Sequence, residues 1–131
     1  MVLGARRVGT EARARYAEDT EKAKRLPELL EAARRAEEEL TRARRSGADV
    51  TELHRLGVAY DAALTDAMRA AYARQRVLVG PRGYEDRIYR RRRLARPEVK
   101  EATEAAERLL TLRERHRLHG IPRVPRSPVA A

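Results

Sequence analysis

The residues of this sequence that most clearly suggest a chemical role are arginines clustered in one short stretch. Seven arginines lie among the fifteen residues from Arg82 to Arg96, where they form two groups around Tyr84 and Tyr89. Guanidinium groups pair with phosphate oxygens, and an aromatic ring can stack on a nucleobase. The stretch therefore indicates contact with a polyanion, of which nucleic acid is the first candidate. The two alternatives are a solvated helix face and a surface that docks on an acidic protein.

The residues that we expect to contact a partner are these arginines and two more near the C-terminus. They are Arg82, Arg87, Arg90, Arg91, Arg92, Arg93, Arg96, Arg123 and Arg126. Tyr84 and Tyr89 fit better as core anchors of a small helix than as base-stacking rings, because the chain has few other large apolar side chains. No helix-turn-helix, zinc-finger or RNA-binding signature accompanies the arginines, so sequence-specific recognition of nucleic acid is not indicated.

Other side chains that could do chemistry lack partners in the sequence. His116 and His119 are three residues apart at a helix end and could share a metal ion, but no third ligand stands at a matching spacing. Their alternative role is that of cations placed favourably at a helix C-terminus. There is no cysteine, and Ser46 and Ser127 have no evident base. We therefore predict no catalytic residue, no metal site and no cofactor, and hence a protein that is not an enzyme.

The composition predicts a thin hydrophobic core. Hydrophobic residues make up 42% of the 131 residues, but alanine is prominent among them and Phe and Trp are absent. Charged residues make up 38% and the net charge is +10, which suits exposed helices better than a compact globule. Residues 80–96 carry seven basic and two acidic side chains, so they supply half of the excess charge. GC-rich coding would explain arginine in place of lysine, but it does not explain this clustering.

Two apolar seams with heptad spacing predict a long antiparallel helical hairpin, similar to a coiled coil, over about residues 27–77. Folding one seam on the other pairs Ala36 with Gly57, which would let the two backbones approach closely. The residues that we expect to pack the hairpin are Leu26, Leu29, Leu40, Leu53, Gly57, Tyr60 and Leu64.

Local signals mark the ends of the two hairpin helices. Gly47 can adopt the left-handed conformation that ends the first helix, and Asp49 can cap the second. Glu52 stands three residues after Asp49 and would complete a capping box. Pro27 suits the first turn of a helix and disfavours helix at the residue before it, so it predicts either a kink or a break there.

The remaining segments extend the all-α prediction to a helical domain over residues 10–120. Within this domain we expect a short basic helix in segment 80–96 and a third long helix over residues 97–119. Residues 1–9 lack periodicity and are predicted to form a flexible basic arm. Residues 121–131 have prolines at every third position, which predicts an extended polyproline tail.

These features favour a structural protein over an enzyme. The first hypothesis is a non-catalytic assembly subunit that packs through its hairpin and tails in a larger complex, such as a viral, phage or ribonucleoprotein particle. Its arginine stretch would contact nucleic acid or acidic neighbours. The alternative is a free-standing dimeric nucleic-acid-binding or regulatory protein. We expect protein partners or self-association, no membrane span, and a location in the cytoplasm or within a macromolecular particle.

Overall fold

Helices account for most of the chain, as the all-α prediction requires. The computed structural model describes residues 7–125, and within this range it contains no strand. The helices are α1 (Thr10–Lys24), α2 (Leu26–Arg45), α3 (Val50–Val79), a 3-10 helix (Pro81–Tyr84), α4 (Arg87–Leu94) and α5 (Pro97–His119). The predicted basic arm up to residue 6 and the predicted tail from Arg126 onwards lie outside the described residues. Among the described helices, none is long and apolar enough to cross a membrane.

Helix α3 is the element on which the other long helices pack, since α1, α2 and α5 all contact it. Its start follows from local chemistry: Gly47 has a φ of 72°, and the Asp49 side chain accepts a hydrogen bond of 2.9 Å from the Glu52 N–H. The Glu52 carboxylate pairs with Arg55 instead of reaching back to Asp49. The cap therefore forms, but our expectation of a reciprocal capping box is corrected, because an arginine one turn away competes for the glutamate.

Helices α1 and α2 are separated by a single residue and follow one course along α3. Arg25, between them, keeps φ and ψ of −81° and −8°, close to helical values. Asp19 of α1 contacts Arg76, and Glu37 of α2 contacts Tyr60. Each contact joins residues at about the same distance from the turn that connects α2 to α3. The proline in the first turn of α2 therefore interrupts the helix without reversing the chain.

The core between α2 and α3 is thin, as the composition predicts. Its buried cluster consists of Ala33, Leu40, Leu56, Tyr60 and Leu64. Within residues 7–125, eight of the fourteen buried hydrophobic residues are alanine. Among the residues expected to pack the hairpin, Leu40, Gly57, Tyr60 and Leu64 are buried, whereas Leu26, Leu29 and Leu53 are half-buried. Leu56 was not among the expected packing residues.

Gly57 is buried, but its nearest neighbour differs from the one that the seam pairing predicts. A side chain at this position would first meet Ile121, at 3.4 Å. His116 of α5 donates a hydrogen bond of 2.7 Å from Nε2 to the Gly57 carbonyl oxygen. Gly57 thus lies against the segment that follows α5, and a Cβ atom here would be at ordinary van der Waals distance from it. The close approach of α2 at Ala36 stays a prediction, and the sequence seams do not reveal that the segment after α5 also lies against Gly57.

Helix α5 runs antiparallel to α3 and returns the chain to the turn end of the bundle. Thr103 near its start accepts a hydrogen bond of 2.8 Å from Gln75 near the end of α3. Arg117 near its end pairs with Asp61 at 2.7 Å. The 3-10 helix, α4 and the start of α5 therefore lie together at the C-terminal end of α3, which is where the arginine stretch is held.

Candidate polyanion-binding surface

The arginine stretch begins at a tight junction with the end of α3. Gly80 has a φ of 103°, a conformation that side-chain-bearing residues rarely adopt, and it ends α3. Gly83 is buried against Val79, and a Cβ atom added at Gly83 would lie 2.4 Å from a Val79 methyl carbon. The two glycines thus let the 3-10 helix fold back closely on α3, so the stretch leaves the bundle in a defined direction.

A buried ion pair fixes the same junction to α1. Asp19 is only 6% exposed, and Arg76 donates to its two carboxylate oxygens from Nε and Nη2, at 2.7 and 3.1 Å. The Tyr84 hydroxyl donates to the same carboxylate. Burial raises the pKa of Asp19, but the hydrogen bonds from Arg76 and Tyr84 and the charge of Arg76 outweigh it, so the pKa lies below its usual value. The charged carboxylate therefore joins α1, α3 and the 3-10 helix.

Helix α4 is capped by the acidic residue that precedes it. The Asp86 side chain accepts a hydrogen bond of 2.9 Å from the Tyr89 N–H and pairs with Arg82 at 3.2 Å. The bond from the Tyr89 N–H is the main reason why the pKa of Asp86 is lowered. One residue earlier, the Glu85 carboxylate accepts from the Gly9 N–H at 3.1 Å. The basic helix is thus fixed at its first turn as well as through the 3-10 helix.

Four of the arginines surround Tyr89 in an open groove. The guanidinium carbons of Arg82 and Arg93 lie 4.9 and 5.6 Å from the centroid of the half-buried Tyr89 ring. Arg92 and Arg96 complete the basic lining of this groove, whose volume is about 590 Å³. The ring is thus engaged by cation–π contacts at the open groove, and the role of Tyr89 as a core anchor stays a prediction. Asp86 also lines the groove, but it pairs with Arg82, so the chemistry that the groove offers to a partner comes mainly from the other guanidinium groups.

Ion pairs are rarer in this segment than in the rest of the described chain, where seven of the eighteen other arginines of residues 7–125 form one. Helix α4 contains five arginines and no acidic residue. Within residues 7–125, Arg82 forms an ion pair and the other six arginines of the stretch form none. In α2, by contrast, Arg34 pairs with both Glu31 and Glu38. Like charges one helical turn apart cost about 0.2–0.5 kcal/mol each, so α4 carries an uncompensated repulsion that a bound anion would relieve.

The nine predicted contact residues do not form one surface. Arg87 and Arg91 are exposed on α4, whereas Arg90 lines a separate cavity on another side of the helix. Arg123 is exposed and follows Pro122, whose carbonyl oxygen lies 2.7 Å from Nδ1 of His54 near the start of α3. The length of α3 separates Arg123 from the arginine stretch by roughly 35–40 Å. Arg126 lies outside the described residues.

The two C-terminal histidines have different surroundings. His116 is buried and hydrogen-bonded to Gly57, whereas His119 is exposed. Within the part of the chain that the structure describes, no three His, Asp or Glu side chains are grouped as metal ligands would be.

Sequence reasoning missed the residues that hold the arginine stretch in place. Asp19 is 57 positions from Arg76 and 65 from Tyr84, and in sequence it resembles any acidic residue of an exposed helix. No local pattern could have identified it as a partner of the stretch. Comparison of the chain with protein-family models, with curated proteins and with solved structures found no match.

Proposed function

We propose that this chain is a non-catalytic assembly subunit that binds the phosphate groups of nucleic acid through the segment 82–96. One observation carries this proposal: within residues 7–125, six of the seven arginines of the segment have no carboxylate partner. The segment itself is fixed in place by the contacts of Asp19 and Asp86. Proteins seldom keep so many unpaired like charges on a short helix, since the repulsion destabilises it. A polyanion supplies the missing counter-charge.

The arrangement favours contacts to the phosphate backbone over contacts to bases. The Tyr89 ring is engaged by Arg82 and Arg93, so its role is to position guanidinium groups. Arginines on several sides of an eight-residue helix suit the repeated charges of a nucleic acid strand better than one specific edge of a base pair. Affinity would then arise mainly from the release of counterions, and binding would depend little on sequence.

The assembly part of the proposal rests on the thin core and on apolar side chains left in solvent. Among residues 7–125, the largest side chains that are fully buried are Leu40, Leu64 and Val99. Leu118 on α5 and Ile88 on α4 are 76% and 69% exposed. Such a chain gains stability when neighbours cover these groups. We propose that the α2–α3 pair acts as the hairpin through which the subunit packs in its complex.

The nucleic-acid part is tested by the salt dependence of binding to a short labelled DNA duplex, measured by fluorescence anisotropy. We expect affinity to fall steeply with salt. The double variant Arg91→Gln/Arg92→Gln should reduce the slope of log K against log salt by roughly two, because each lost phosphate contact contributes about 0.9. The control Arg34→Gln/Arg35→Gln removes the same net charge from α2 and should leave the slope unchanged. Equal effects of the two double variants would overturn the proposal.

Two further measurements separate the remaining hypotheses. Polyglutamate that competes for the protein as well as DNA does would indicate an acidic protein surface as the partner of the arginines. Light scattering after gel filtration reports the oligomeric state of the isolated chain. A defined dimer that binds DNA would favour the alternative of a free-standing nucleic-acid-binding protein, whereas a monomer that binds DNA would support an assembly subunit.

A further inference from the structure

A second basic site lies beside the arginine groove, in the cavity where α1, α3, the 3-10 helix and α4 meet. Its volume is about 350 Å³, within the range of sites that bind small molecules. Three arginines from three different helices line it, namely Arg15, Arg76 and Arg90. Guanidinium groups brought together from distant parts of the chain repel one another, so their convergence calls for a counter-charge.

The carboxylate of Asp19 neutralises only one of these three charges. It pairs with Arg76, whose Nε and Nη2 atoms it engages. Within residues 7–125, Arg15 and Arg90 form no ion pair with an acidic side chain. The guanidinium carbon of Arg15 lies 6.0 Å from the centroid of the Tyr84 ring. Two of the three positive charges of the cavity, those of Arg15 and Arg90, are therefore not compensated by a carboxylate of residues 7–125.

The walls of the cavity are held in place before any ligand arrives. Arg76 and Tyr84 are fixed by their hydrogen bonds to Asp19. Gln75 donates from Nε2 to Thr103 at 2.8 Å, which leaves its carbonyl oxygen available as an acceptor. These ordered groups lose little conformational entropy on binding, whereas the exposed side chains of Arg15 and Arg90 would be ordered by the ligand itself.

The cavity also has an apolar side. Val79 and Leu94 line it, and Gly83 adds a surface without a side chain. A free inorganic ion would leave these walls uncovered, whereas an ester would cover them with its organic part. The combination of guanidinium groups, an amide acceptor and two aliphatic side chains fits a ligand with a charged head and a small organic body.

We propose that this cavity binds a phosphate monoester, with the phosphate between Arg15 and Arg90 and the organic part against Val79 and Leu94. Bidentate pairing with guanidinium groups is the geometry that phosphate oxygens favour. The phosphate could belong to a free small ester or to the terminal phosphate of a nucleic acid strand. The site shares Arg90 with the segment 82–96, whereas Arg15 lies outside that segment, so a change at Arg15 tests the cavity separately from the function proposed above.

The test is isothermal titration calorimetry of the full chain with thymidine 5′-monophosphate, with thymidine as the unphosphorylated probe. We expect the monophosphate to bind and thymidine not to bind. Arg15→Gln should weaken binding by roughly tenfold, the effect of losing one charge-assisted pair. The control is Arg13→Gln, which removes an exposed charge from the same helix but not from the cavity. No heat with the monophosphate, or equal weakening by both variants, would overturn the site.

Oligonucleotides that carry a 5′-phosphate or a 5′-hydroxyl identify the source of the phosphate. A preference for the 5′-phosphate that Arg15→Gln abolishes would assign the site to strand ends, and binding of the mononucleotide without such a preference would assign it to a free ester. Arg15→Gln should leave the salt dependence of duplex binding unchanged. Failure of the duplex to bind, with intact monophosphate binding, would therefore refute the nucleic-acid function and leave this site standing.

Discussion

Replacement of Asp19 by asparagine tests the contact that holds the arginine stretch on the helical bundle. The substitution keeps the size of the side chain and one acceptor oxygen, but it removes the charge that Arg76 and Tyr84 share. We expect Asp19→Asn to lower the free energy of unfolding and to loosen α4 relative to α3. Tyr84→Phe removes only the hydroxyl donor and is the milder partner variant.

The size of the effect follows from burial of the pair. Removing one partner of a fully buried ion pair costs about 3–5 kcal/mol, because the remaining charge is left without compensation. The Arg76 side chain, however, is 43% exposed, so water recovers part of that cost. Hydrogen bonds to charged groups contribute about 1.5–3 kcal/mol each, and asparagine retains some of them. We therefore expect Asp19→Asn to cost about 2 kcal/mol, or roughly 8 °C in Tm for a chain of this length.

The same contact predicts a pH dependence. Because the pKa of Asp19 is lower in the folded protein than in the unfolded chain, its contribution to stability is present above the ordinary value of 3.8. That contribution is lost as the pH falls through the lower folded value. The stability difference between the parent protein and Asp19→Asn should thus be constant near neutral pH and shrink at pH values below 3.8.

Urea unfolding followed by circular dichroism measures these differences. The control is Asp66→Asn, since Asp66 is an exposed residue of α3 for which no ion pair is formed within residues 7–125. A double-mutant cycle with Tyr84→Phe should give a coupling of about 0.5–1 kcal/mol. The reasoning is refuted if Asp19→Asn is no more costly than Asp66→Asn, or if its cost does not change in acid.

Three further substitutions test other contacts by the same unfolding assay. Gly57→Ala should stabilise the protein by about 0.5–1 kcal/mol, because alanine favours the helical conformation more than glycine does. The added Cβ atom would lie 3.4 Å from Ile121, which is an ordinary contact distance. Destabilisation would indicate that a neighbouring helix approaches more closely. His116→Ala should cost about 2 kcal/mol through loss of a buried hydrogen bond and of side-chain volume, whereas the exposed His119→Ala should cost almost nothing; equal costs would contradict this account. Asp86→Ala should cost about 1 kcal/mol by removing the cap of α4, with faster amide exchange confined to that helix; unchanged exchange would argue against the cap.

Local chemistry in the sequence was sufficient for the helix class and for several helix ends. The 3,4 spacing of apolar residues and the scarcity of Gly and Pro within the long segments predict helices, and the all-α class is confirmed. Gly47 adopts a positive φ and Asp49 caps α3, because these preferences depend only on residues within one turn of each other. The arginine stretch stays together for the same reason, since its members are neighbours in the chain.

Only the tertiary structure decided which distant residues meet. The pairing of Asp19 with Arg76 and Tyr84, and the packing of Ile121 on Gly57, depend on the rotation and the offset of one helix along another. An apolar stripe restricts the rotation of a helix but hardly its offset when most of the stripe is alanine, because small side chains interlock weakly. Sequence reasoning therefore found the basic segment, but it did not find the distant residues that hold this segment in place.

The same limit explains why the phosphate cavity could not be foreseen. Arg15 and Arg90 line one cavity only because α1 and α4 both pack at the C-terminal end of α3. In the sequence each is one exposed arginine among many on a helix, with nothing in its local pattern to set it apart. The charge of the segment 82–96 is a property of the chain, whereas the division of that charge between a groove and a cavity is a property of the fold.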